Sequence, residues 1–88
     1  MGRKTIDPLR VCHFVPCNSI HTFGMAFPLT VIFLDRQMRL LRVINHLAPA
    51  RVAWHWRACS VLELRAGSIT SGRQAQALVA SLFPENGV

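Results

Sequence analysis

The sequence predicts a small, mainly β domain, sandwich-like or an open barrel, of about five to seven short strands with a C-terminal amphipathic helix; an α+β arrangement is the alternative. Three observations point there. Turn-forming residues recur at short intervals: Asp7-Pro8, residues 16–19, 35–38, 45–50, 66–72 and 84–87. The segments between them alternate in twos or are short continuous apolar runs, and only the C-terminal stretch changes to a helical period. The composition, 51% hydrophobic and 16% charged over 88 residues, suits one compact domain spanning 1–88 and excludes a disordered chain and a coiled coil.

Residues 9–15 read as a strand with Leu9, Val11 and Val15 on one face. Residues 29–34 are apolar on both faces apart from Thr30, the pattern of a central strand covered on both sides. Residues 39–44 form the next strand, close enough to make a hairpin across Asp35-Arg36-Gln37-Met38, where Asp35 can accept backbone amides. Residues 51–57 alternate most cleanly. Val52, Trp54 and Trp56 share one face and Arg51, Ala53, His55 and Arg57 the other, and burial preference turns the tryptophans toward the core. In residues 60–65, Leu62 and Leu64 point inward and Val61, Glu63 and Arg65 lie opposite. Ala75, Leu78, Val79 and Leu82 then show helical spacing, with Ser71 as N-cap and Pro84 as the stop.

Ten Lys and Arg against four Asp and Glu leave +6, and all but one of the cations are Arg. A basic protein suits an acidic partner: nucleic acid, an anionic membrane face or an acidic protein. The arginines are scattered, which favours a solvated surface over a footprint. The longest apolar run, residues 23–34, is interrupted by Pro28 and falls short of the roughly 20 residues that span a bilayer. Residues 1–10 lack an apolar stretch of signal-peptide length, so a cytoplasmic protein with no membrane span is expected. Cys12, Cys17 and Cys59 are odd in number and contain no CxxC, which predicts buried thiols rather than a disulfide scaffold.

From residue 17 the order of motifs becomes specific. Cys17-Asn18-Ser19-Ile20-His21-Thr22-Phe23-Gly24-Met25-Ala26-Phe27-Pro28-Leu29 leads into Val31-Ile32-Phe33-Leu34-Asp35. Arg42-Val43, Leu47-Ala48-Pro49-Ala50-Arg51-Val52 and Val61-Leu62-Glu63-Leu64-Arg65-Ala66-Gly67 follow. In this combination the chain resembles the bacterial and archaeal family called domain of unknown function 192, over residues 8–67. The resemblance implies a compact, mostly β sandwich-like or barrel-like domain and carries no activity with it. The chain departs from the family's usual pattern at Thr30, where an Asp is common, and at Gln37 and Met38, where the turn usually has a Gly. Residues 68–88 offer a longer helix in place of a short one with a Gly-Asp turn and a last strand. The resemblance also implies that the family's first strand is missing from this chain, leaving an open sheet edge through which a homodimer would form.

Candidate chemistry is sparse. Cys12, His13, Cys17 and His21 carry zinc-type ligands, but their spacing fits no standard knuckle, so neither metal nor cofactor is expected. Cys17 with His21, or Cys59 with His55, lacks the cation or helix terminus that activates a thiol. Ser19 and His21 lack a nucleophile elbow, and no catalytic residue is expected. Asp35 and Glu63 would form an acid/base pair only if the sheet brought them together; a turn cap and a salt bridge are the plainer reading. The candidate binding residues are His21 and Thr22, in a segment with Phe23, Gly24 and Met25 just before a buried strand, together with Asp35 and Glu63. Arg51, His55 and Arg57 form an anion-binding stripe that Arg39, Arg42 and Arg65 could extend. The expected function is a non-enzymatic ligand- or partner-binding domain; the alternative is a basic nucleic-acid-binding module using an Arg-rich sheet face.

Overall fold

The computed structural model describes the backbone of residues 2–6 and all of residues 11–23 and 27–84. The elements run in the order β1 (Gly2–Ile6), β2 (Val11–Val15), β3 (Ser19–His21), β4 (Leu29–Leu34), β5 (Leu40–Leu47), β6 (Val52–Trp54), β7 (Ser60–Arg65) and α1 (Gly72–Leu82). The Asp7-Pro8 turn, the facing of Leu9, the site positions Gly24 and Met25, and the turn beyond Pro84 lie outside the described residues.

β4 is apolar at five of its six positions and takes the interior of a five-stranded antiparallel sheet ordered β1-β2-β7-β4-β5. β3 and β6 form a separate antiparallel ribbon, and the two sheets do not close into a barrel. Both faces of the large sheet are covered. On one, Val11, Ile32, Leu34, Leu62 and Leu64 pack with Ile69 and with Ala75, Leu78 and Val79 of α1. On the other, Leu29, Val31, Phe33 and Val61 pack with Ile20 and Ala53 of the ribbon and with Ala58. The fold is therefore mainly β and layered: ribbon, sheet, helix.

The double cover changes one reading of β7. Val61 is as buried as Leu62, because the ribbon seals the face opposite the helix. Val15, expected on the inner face with Val11, is exposed. The three cysteines are thiols and each is half-buried, not fully interior.

Helix α1 starts as its sequence dictates. The Ser71 hydroxyl accepts the Gln74 amide at 3.2 Å, and Gln74 Oε1 accepts the Thr70 amide at 2.7 Å and its hydroxyl at 2.9 Å. That reciprocal arrangement satisfies donors a helix start leaves orphaned. The β4–β5 turn is held as tightly. Met38 N–H donates to the Asp35 carbonyl and Asp35 N–H to the Arg39 carbonyl, both at 3.0 Å. Asp35 Oδ1 accepts the Gln37 and Arg39 amides at 2.9 Å each, and Oδ2 accepts Arg39 Nε at 2.9 Å. The turn demands a left-handed residue, and Met38 supplies it at φ 61. A side chain in this left-handed conformation carries strain of about 1 kcal/mol or more. Gly67, at φ 92, relieves the same demand in the turn that follows β7.

Among the described residues, no helix is long and apolar enough to cross a membrane.

Candidate functional site

The ribbon decides where the tryptophans go. β3 reads Ser-Ile-His, so Ile20 is its one large apolar side chain and must face the sheet. Directly opposed residues on antiparallel strands share a face. Ile20 pairs with Ala53, Ser19 with Trp54 and His21 with Val52. Ala53 is thereby drawn inward, and Val52 and Trp54 are turned out. The space beneath is already filled by Val31, Phe33 and Leu29, which leaves room for a methyl but not an indole. Trp54 is 60% exposed, Trp56 75% and Val52 59%. The expected core placement of the two tryptophans is thus reversed: the alternation is present, but with the opposite sense.

The expected long strand over 51–57 also shortens. After Trp54 the chain turns, with Ala58 N–H donating to the His55 carbonyl at 3.0 Å and Arg57 N–H to His55 Nδ1 at 3.1 Å. His55 is consequently half-buried, its ring 6.4 Å from Phe33 on the inner side and 6.5 Å from Trp56, nearly parallel to it at 9°. The Arg57 guanidinium lies 5.8 Å from the centre of the Trp56 ring. Arg42 faces the ribbon because β5 sets it opposite Phe33, and its Nη1 donates to the Trp54 carbonyl at 3.4 Å. Arg51 is exposed just before β6. At the other end of the ribbon the His21 and Phe23 rings stack at 5.3 Å, and Phe23 is exposed. The outer face therefore carries Phe23, His21, Val52 and Trp54, with exposed Trp56 in the turn just beyond the strand and Arg42, Arg51 and Arg57 around it. Beside the Ser19–Trp54 end is a shallow depression of about 350 Å³ lined by Pro16, Cys17, Asn18, Ala58 and Cys59.

Thr22 holds this surface in shape. Its hydroxyl donates to the Ala48 carbonyl at 2.7 Å and accepts the Arg51 amide at 2.8 Å. Its own amide donates to the Arg51 carbonyl at 2.9 Å, and its carbonyl accepts the Ala50 amide at 3.1 Å. Fully buried, Thr22 spends its side chain on the loop that delivers Arg51, and Ala50 in that loop sits at φ 61.

Among the remaining candidates, Arg39 is tied to Asp35 and Asp35 caps its turn. Burial alone would raise the Asp35 pKa, but the amide of Arg39, its guanidinium and the amide of Gln37 outweigh that and hold the carboxyl below its ordinary 3.8. Glu63 is half-buried on β7, opposite Cys12 and Val31. Leu34 lies opposite Ser60 and Val31 opposite Glu63, so Asp35 is four residue steps of about 3.3 Å from Glu63 along the strands, and the two carboxyls do not meet. Arg65 lies elsewhere, its guanidinium 4.6 Å from the Phe27 ring centre. Cys12 and His13 point to opposite faces of β2. Among the described residues, no three His, Cys, Asp or Glu gather closely enough to hold a metal ion. The arrangement thus brings His21, Arg51, His55 and Arg57 to one region with Thr22 buried beneath it, and leaves Asp35 and Glu63 outside it. The exposed tryptophans were not among the expected site residues, and Arg42 entered only as an extension of the arginine stripe; recognising Ser19-Ile20-His21 as a strand would have placed Trp54.

Neither a curated protein nor a solved structure matches this chain. The model of the family DUF192, described as an uncharacterised ACR, matches residues 1–75, a longer stretch than the one carrying the motifs, and the chain belongs to that family.

Proposed function

We propose that this protein is a non-enzymatic binding domain whose contact surface is the outer face of the β3–β6 ribbon. The observation carrying this reading is that both tryptophans of the chain stand on or beside that face largely in solvent. Trp is highly buried on average, and exposed aromatics beside arginines are the usual composition of recognition surfaces. The main-chain clamp at Thr22 makes the surface preformed. The absence of a meeting between Asp35 and Glu63 removes support for an acid/base reading.

Because the chain has only two tryptophans, their emission reports on this face alone. We expect at least one of three probes, the single-stranded oligonucleotide dT12, polyglutamate or phosphatidylglycerol vesicles, to shift or quench that emission. The same probe should lose affinity for Trp54→Ala and Trp56→Ala. Silence toward all three probes would remove the reading.

A further inference from the structure

We infer that the occupant of the ribbon face is single-stranded nucleic acid, with bases stacked on Trp54 and Trp56 and phosphates held by Arg42, Arg51 and Arg57. This rests on the ribbon face being the contact surface and adds the chemistry of the partner.

Three observations select that partner. First, the rings are already arranged as stacks: His55 against Trp56 at 9°, Arg57 5.8 Å from the Trp56 centre, and His21 against Phe23 at 5.3 Å. A base extends such a stack without regard to its identity, because every base has a π-face. Second, the charge is one-signed. Residues 17–23 and 48–59, which make up the ribbon and its flanking loops, contain no Asp or Glu but contain Arg51 and Arg57, and Arg42 reaches in from β5. Asp35 is occupied by Arg39 in its own turn. Third, the apolar and polar groups are interleaved. Val52 and Trp54 lie opposite His21 and Ser19, and Trp56 lies between His55 and Arg57. A lipid surface favours a continuous apolar face, whereas a nucleotide strand presents planar and anionic groups in alternation. A second copy of the chain is disfavoured by the net charge of +6, which would bring like-charged faces together.

Duplex is disfavoured for the same reason that stacking is favoured. Paired bases are stacked on one another and do not offer their faces to a side chain, so the platform requires an unpaired strand.

The test is fluorescence anisotropy with the full chain and dye-labelled dT12, rU12 and a 12-base-pair duplex across a salt series. We expect dT12 or rU12 to bind better than the duplex, with tryptophan quenching. The log–log salt slope should be about −2, from three phosphates at roughly 0.7 each on a single strand. Trp54→Ala and Trp56→Ala should each weaken binding about 5- to 150-fold. Arg57→Ala should make the slope shallower by about 0.7. Circular dichroism unchanged from the parent chain confirms that these surface variants remain folded. Binding to dT12 but not rU12, or the reverse, keeps the inference and assigns the sugar. Equal or tighter binding of the duplex overturns it, as does single-strand binding that survives both tryptophan changes. A tryptophan response to polyglutamate or vesicles with none to either oligonucleotide also overturns it, yet leaves the ribbon as the contact surface. A dimer abolished by Trp54→Ala, in a chain that binds no oligonucleotide, overturns it as well.

Discussion

The two covers of the central sheet turn their apolar side chains inward by different rules. Helix α1 turns Ala75, Leu78 and Val79 to the sheet because their spacing along one element leaves no other common face. The ribbon turns Ile20 and Ala53 inward because β3 has one large apolar residue and pairing commits its partner. A helix carries its orientation in its own sequence. A two-stranded ribbon shares that decision between strands far apart in the chain, and here the less hydrophobic strand sets the facing of the more hydrophobic one. The cost is an exposed pair of tryptophans, which becomes the candidate binding surface.

The largest expected effect probes the two covers together. Leu78→Ala and Ile20→Ala should each destabilise the fold by about 2–4 kcal/mol in urea unfolding, since both side chains are buried against the sheet. A cost well under 1 kcal/mol for Ile20→Ala would mean that the ribbon is not packed as described. Next, Thr22→Val retains the shape but strands the Ala48 carbonyl and the Arg51 amide. We expect a loss of about 1–3 kcal/mol together with faster amide exchange at Arg51.

Asp35 gives a pH test at the turn remote from Thr22. Its folded pKa lies below the ordinary 3.8, so its stabilisation is present above that value and drains away as the pH falls through the lowered one. Chemical unfolding followed from pH 6 to pH 2 should show that loss, and Asp35→Asn should cost about 1–2 kcal/mol near neutrality and lose less on acidification. An acid profile identical in the variant would detach Asp35 from the effect.

Smaller still, Ala50→Gly should stabilise by about 0.5–1 kcal/mol, because it removes a side chain from φ 61. Met38→Gly should gain less despite the same φ, because Met38 also packs against the helix-side core. Equal gains at the two positions would argue against that packing. The smallest effect is expected at the ribbon's outer face, where Trp54→Ala should change thermal stability by no more than about 0.5 kcal/mol. A loss comparable to that of Ile20→Ala would erase the distinction between inner and outer faces.

Much of the scaffold was legible beforehand. Strands 29–34 and 60–65, the turn at Asp35, the Ser71 cap and the helical face all appear where local patterns put them. Gly2–Ile6 and Ser19–His21 went unassigned. The first is polar and short of apolar residues, and the second has three residues, too few for alternation to register. Missing β3 removed the clue to the phase of β6, and with it Trp54 as a surface residue. Arg51, His55 and Arg57 were named because their residue types suggested anion binding, and His21 because its polar segment precedes a buried strand. Asp35 and Glu63 were named as carboxylates that would act together only if the sheet paired them, and the strand register keeps them apart.

By itself the sequence determined what depends on neighbours along the chain: which segments alternate, where turns and caps fall, and which helical face is apolar. Only the tertiary structure decided which side of the Val52–Trp54 strand is wet. That choice depends on the residue paired across from Ala53 and on the volume left above Phe33, neither of which is encoded within the strand itself.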